Sequence, residues 1–146
     1  MIEPKYKLTE ETIIVNGRTL HRIEALRDFG DVHKGDKGGY VENEYGLSHF
    51  GDCWVYDNAM VYGNSWVCDS TKICDTAVVC DHAIVLNDAK VYGNARVYGN
   101  AMVCDSASVY GNAKVHDTAA VYGNAKVLGN ADVCGEGRVH GNTEVC

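Results

Sequence analysis

Lys90-Val91-Tyr92-Gly93-Asn94-Ala95-Arg96-Val97-Tyr98-Gly99-Asn100-Ala101 states one six-residue phrase twice: a variable residue, Val, Tyr, Gly, Asn, Ala. Carrying that register outward puts Val or Ile at every sixth position from Val55 to Val145, sixteen times without exception. Four places after each stands a small residue, as at Ala59, Ser65, Thr71, Ala77 and Ala95. Between them lie turn formers such as Gly63-Asn64, Gly99-Asn100 and Gly123-Asn124, which accept positive φ at little cost. Asp57, Asp69, Asp75, Asp81, Asp105 and Asp117 take the same corner place as Gly, and turn chemistry accounts for them without calcium. A fixed short period is the mark of a stacked repeat.

Between corners, four residues such as Ala-Lys-Val-Tyr form a short strand, in which alternation sends Ala and Val to one side and Lys and Tyr to the other. Ala and Val line the inside. A helix is excluded, because its 3.6-residue period would smear a six-residue repeat around the whole circumference. Three rungs make an 18-residue coil, and each strand lies about 4.8 Å from its copy in the next coil, paired in parallel. Burying each Val contributes about 1.5–3 kcal/mol against the entropy of ordering the chain.

The rung pattern resembles the hexapeptide repeat of left-handed parallel β-helix proteins over residues 53 to 146. The resemblance implies a left-handed prism of triangular section with about five to six coils, and trimeric association. The Val-Tyr-Gly-Asn-Ala-Lys wording, with a lead-in from Tyr6-Lys7-Leu8-Thr9 to Gly38-Gly39-Tyr40-Val41-Glu42, is similar to uncharacterised phage and gut-bacterial proteins labelled transferases on fold alone. The lead-in has its own signal: Asn16-Gly17 between Thr12-Ile13-Ile14-Val15 and Arg18-Thr19-Leu20-His21-Arg22-Ile23 predicts a β-hairpin. We therefore expect an all-β, single-stranded parallel β-helix over residues 39–146, capped by an N-terminal hairpin over residues 1–38. Leu47 reads as an early rung, followed by a two-residue excess before Val55. The repeat runs to Cys146 in mid-coil, which suggests an end that is open or covered by another chain.

At 146 residues and a formal charge of −7, with thirteen dispersed Lys and Arg, the chain is one domain and unsuited to a phosphate-backbone partner. No apolar run approaches a membrane span and the start lacks a signal peptide, so the expectation is a cytoplasmic protein with neither nucleic-acid nor membrane partners. Of seven cysteines, Cys68, Cys74, Cys80, Cys104, Cys134 and Cys146 occupy the outward place after the aliphatic residue. No two of the seven are eighteen apart, and two coils, roughly 9.6 Å, is too far for a disulfide. Reduced thiols are expected.

Every third rung shares a face. The first face carries Trp54, Tyr56, Lys72, Cys74, Lys90, Tyr92, Ser108, Tyr110, Lys126, Leu128 and Glu144, a water-compatible mixture. The second carries Met60, Tyr62, Val78, Cys80, Arg96, Tyr98, Lys114, His116, Asp132 and Cys134. The third carries Trp66, Cys68, Ile84, Leu86, Met102, Cys104, Ala120 and Tyr122, with no charge over four coils, before Arg138 and His140. Such a stripe predicts a homo-oligomer interface, with packing of Trp66, Ile84 and Leu86 under the hairpin as the alternative.

The fold's known acyltransferases, by the resemblance, use a histidine on a loop interrupting the repeat. Here no insertion separates Val55 from Val145, and no coenzyme A arm follows. The expectation is a non-enzymatic binding or scaffold protein with no catalytic residue and no cofactor. In its phage-accessory version it sequesters a small molecule or blocks a host defence protein. Acyl transfer with His116 or His140 as base, and a structural module of a larger assembly, are the rivals. Candidate ligand contacts are Tyr62, Arg96, Tyr98, Lys114, His116 and Tyr122, with Arg96 and Lys114 suited to an anionic small molecule. His116 and Cys134, eighteen residues apart, are weak metal candidates, because two ligands fall short of the three or four a metal takes.

Overall fold

The computed structural model describes residues 3–146. Strands β1 (Tyr6–Val15), β2 (Arg18–Ala25) and β3 (Lys37–Val41) precede sixteen two-residue strands, Trp54–Val55 through Glu144–Val145, one per rung. They wind into a parallel β-solenoid of about six turns. Among the described residues there is no helix long and apolar enough to cross a membrane.

Three sheets run the length of the solenoid, and each joins every third rung. In the second sheet Met60 pairs with Val78, Val78 with Arg96, Arg96 with Lys114 and Lys114 with Asp132, always eighteen residues apart. The amide ladder follows, with Arg96 N donating to Ala113 O at 3.0 Å and Tyr98 N to Val115 O at 3.0 Å. Within each rung the small residue closes the corner, as Ala95 N does on Tyr92 O. The aliphatic column and its partner alanines are fully buried from Val55 to Val127, and burial loosens from Ala131 onward, at Val133, Val139 and Val145 in the column. Where Ser65 and Thr71 replace Ala inside, their hydroxyls donate to Tyr62 O and Cys68 O, so neither buries an unpaired polar group.

The corner aspartates do more than tolerate positive φ. Asp75, at φ 60°, accepts the Gly93 amide on Oδ2 at 2.8 Å, and Asp117, at φ 59°, accepts the Gly135 amide at 2.8 Å. Each carboxylate thus tethers its corner to the corresponding corner of the next coil. All seven cysteines are free thiols.

Asn16 and Gly17, at φ 51° and 77°, make the two-residue turn of the β1–β2 hairpin. β2 pairs with β3, and β3 pairs in parallel with the Met60–Val61 strand, so the hairpin extends the second sheet. Gly39 allows this approach: a Cβ there would lie 2.4 Å from Ala59 O. The lead-in also covers part of the first face. Trp54 occupies the outward place that the period assigns it, yet it is buried, with Tyr6 and Phe29 edge-on at 6.1 and 5.2 Å. Lys5 is buried beside it, and its Nζ donates to Cys53 O at 2.7 Å and lies over the Phe29 ring. Burial pushes that amine below its ordinary pKa. The hairpin does not cover the third face, where Trp66 remains 50% exposed and Met102 39%. Leu47 bridges to Val67 on that face, as its early-rung position requires.

Candidate functional site

The second face presents two parallel columns of outward side chains. One runs Met60, Val78, Arg96, Lys114 and Asp132, and the other Tyr62, Cys80, Tyr98, His116 and Cys134. The first turns from apolar to charged at Arg96, and the hairpin tip overhangs its upper half. Asn16, Arg18, Tyr62, Val78, Cys80, Asp81, Arg96, Tyr98 and Lys114 enclose a cleft of about 440 Å³. A second hollow, lined by Met60, Thr76, Asn94 and Asn112, shares the Arg96–Lys114 ridge as its wall.

The cations of this cleft differ in how they are held. Arg18 donates through Nη1 to both oxygens of Glu42, at 2.9 and 3.1 Å, and Glu42 Oε1 also accepts the Gly63 amide at 2.9 Å. Arg18 is thereby fixed over the cleft, and Asn16 Nδ2 meets the Tyr62 hydroxyl at 3.4 Å. Arg96 and Lys114 stand directly opposite each other on adjacent strands, and neither has an ion-pair partner among the described residues. Like charges in that arrangement repel. The stacked lysines of the first face differ: Lys72, opposite Lys90, has Asp31 at 3.5 Å.

Aromatic walls complete the cleft. Burial raises the Tyr62 and Tyr98 hydroxyls above their ordinary pKa, so both remain neutral donors near pH 7. Tyr98 stacks on His116 at 4.7 Å between centroids and 2° between planes. His116 in turn has Asp117 Oδ1 at 3.3 Å from Nδ1 and Asp132 Oδ1 at 2.6 Å from Nε2. The potential ligand atoms of His116, Asp132 and Cys134 all lie within 4.8 Å of one another.

Four of the six expected ligand contacts, Tyr62, Arg96, Tyr98 and Lys114, therefore share one cleft, with His116 at its edge beside Lys114 and stacked on Tyr98. Tyr122 does not join them: it lies on the third face, stacked on His140 at 5.3 Å. Arg18 and Asn16 join from the hairpin, which sequence reasoning did not place. The missing signal was the face on which the hairpin pairs, since an Asn-Gly turn predicts a hairpin and not its docking partner. Asp132 was recoverable from coil arithmetic, because it precedes Cys134 by two residues and so sits beside it on the same strand face.

Five of the seven thiols offer little nucleophilic character. Burial raises Cys53, Cys80 and Cys104, and pushes Cys68 and Cys74 up to about 11. The histidines named as bases are separated, His116 on the second face and His140 on the third.

The repeat profile described as the YdcK β-solenoid repeat matches residues 55–69, 89–105 and 95–116. The chain is a hexapeptide-repeat β-solenoid. The chain is similar to a protein of Escherichia coli (strain K12) named "Uncharacterized acetyltransferase YdcK", 37% identical over 65 residues. That match takes in 38% of this chain and 20% of the Escherichia coli protein. The chain thus spans about a fifth of the length of the curated relative it matches. Two of the three profile segments of this β-solenoid contain cleft residues Arg96 and Tyr98, and one contains Lys114.

Proposed function

We propose that this protein is a binding module whose second face grips a small anionic molecule carrying a planar or aromatic group. The carrying observation is the Arg96–Lys114 pair, stacked on adjacent strands with no salt bridge to either cation among the described residues, in a cleft that Tyr62, Tyr98 and Arg18 also line. A phosphate or carboxylate bridging the two cations would relieve their repulsion, and the fork of Arg96 suits bidentate contact. The tyrosines supply a flat apolar surface with neutral hydroxyl donors at its rim. Backbone tethers at every corner hold the face rigid, which lowers the ordering cost of binding.

A thermal-shift panel of coenzyme A, cyclic nucleotides, nucleoside mono- and diphosphates and inorganic phosphate tests this. We expect at least one organic anion to stabilise the protein, and the Arg96→Ala/Lys114→Ala double variant to lose that shift. Charge-assisted contacts of about 1.5–3 kcal/mol each translate to at least tenfold weaker binding. No stabilisation by any member, or equal stabilisation of the variant, refutes the proposal.

The second reading is acyl transfer, favoured by the name of the Escherichia coli relative. A cationic cleft also suits the phosphates of coenzyme A. Against it stand sixteen rungs without an inserted loop and a His116 whose two ring nitrogens are both engaged by carboxylates. Hydrolysis or transfer of acetyl groups from acetyl-coenzyme A, lost on His116→Ala, would favour this reading over passive binding.

Self-association through the third face belongs to the same proposal. Trp66, Ile84, Met102 and Ala120 form one of its columns and Cys68, Leu86, Cys104 and Tyr122 the other. A patch carried by every copy closes naturally by rotational symmetry.

A further inference from the structure

We propose that His116, Asp132 and Cys134 form a binding site for a single divalent transition-metal ion of the zinc class. The site lies at the lower end of the second face, next to the anion cleft, with Tyr98 and Lys114 between the two.

Imidazole nitrogen, carboxylate oxygen and thiolate sulfur are all ligands that such an ion accepts. Two registers of the solenoid bring them together. Cys134 follows His116 by eighteen residues, directly below it in the next coil, and Asp132 stands two residues before Cys134 on the same outward side. Their ligand atoms lie within 4.8 Å of one another. Around a tetrahedral ion with bonds of about 2.0–2.3 Å, ligand atoms are separated by roughly 3.3–3.8 Å. Asp132 and Cys134 are both exposed, so side-chain rotation can widen the 2.6 Å Nε2–Oδ1 contact and bring Sγ to that separation.

The histidine is already prepared. Tyr98 lies flat against its ring and fixes the plane. Asp117 faces Nδ1 and is itself anchored by the Gly135 amide at 2.8 Å. A carboxylate behind one ring nitrogen holds the proton there and turns the other lone pair outward, the usual arrangement behind a metal-bound histidine. Nε2 points at Asp132 Oδ1, 2.6 Å away. A divalent ion seated between Nε2 and Asp132 Oδ1 would take the place of that contact and draw in Cys134 as the thiolate. Protons balance in that the ion enters while the Cys134 thiol proton, and whichever proton bridges Nε2 and Asp132, leave to solvent. Three protein ligands leave a fourth position for water or a small ligand.

Cobalt(II) titration of the purified full chain, followed by visible absorption, tests the site. We expect one equivalent per chain, with tetrahedral d–d bands and a near-ultraviolet thiolate charge-transfer band, and displacement by zinc(II). Cys134→Ser should abolish the charge-transfer band, whereas Cys146→Ser should keep it. His116→Ala should weaken affinity at least about a hundredfold. Asp117→Asn should weaken it about tenfold while keeping the spectrum, the behaviour of a positioning residue. Unchanged thermal unfolding of the metal-free variants confirms that the substitutions act on the metal alone. Absence of a charge-transfer band in the unmodified protein, its survival in Cys134→Ser, or affinity indifferent to His116→Ala overturns the proposal.

Discussion

Val91 and Lys90 are neighbours in one strand and lie on opposite sides of the wall, so replacing each with aspartate separates inside from outside. Val91 is fully buried against the central column, whereas Lys90 is exposed and stands opposite Lys72. Val91→Asp forfeits about 1.5–3 kcal/mol of apolar burial. It also places a carboxylate where no partner is available, at an effective cost of several kcal/mol more. Together these approach the about 5–15 kcal/mol that holds a typical domain together. Lys90→Asp removes a like-charge contact at the surface and should change stability by no more than about 0.5 kcal/mol. Urea unfolding followed by circular dichroism measures both. Because each coil touches only its neighbours, Val91→Asp should also open the solenoid locally, and proteolysis should cut near residues 85–97 before global unfolding. Equal midpoints for the two variants would refute the inward placement of the aliphatic column.

Two further outcomes follow from particular contacts. The Tyr56 hydroxyl, 2.6 Å from Asp31, and Lys72 beside it hold that carboxyl below its ordinary value of 3.8. A folded pKa lower than the unfolded one gives stability that is present above the ordinary value and lost as pH falls through the depressed one. Unfolding midpoints measured from pH 5 to about 2.5 should therefore decline less steeply for Tyr56→Phe than for the unmodified protein, and identical slopes would contradict the assignment. On the third face, Ile84→Asp with Leu86→Asp should lower the native mass measured by light scattering, and an unchanged mass would remove the proposed interface.

The rungs were legible because a solenoid writes its stacking directly into its period: residues eighteen apart must pair, and the valines from 55 to 145 mark which side is in. The Asn16-Gly17 turn was legible for a similar reason, since its φ values are a local requirement. The arithmetic could not say what covers an outward residue. Trp54 lies on the outward side and is nonetheless buried, because Tyr6 and Phe29 come from a lead-in with no repeat to place it. The cleft was half legible for the same reason. Its solenoid half, Tyr62, Arg96, Tyr98 and Lys114, follows from register, while Arg18 depends on Glu42 and the docking of the hairpin. Asp132 was hidden because a match of His116 with Cys134 along one column ignores the column beside it, where side chains are equally close.

The most direct measurement of the second face as the working surface is backbone and side-chain chemical-shift mapping while the best anion from the binding panel is titrated in. Perturbations should gather at Arg18, Tyr62, Arg96, Tyr98 and Lys114 and leave Lys72, Lys90 and Lys126 of the first face unmoved. Shifts spread evenly over lysines of both faces, or gathered on the first or third face, would contradict it.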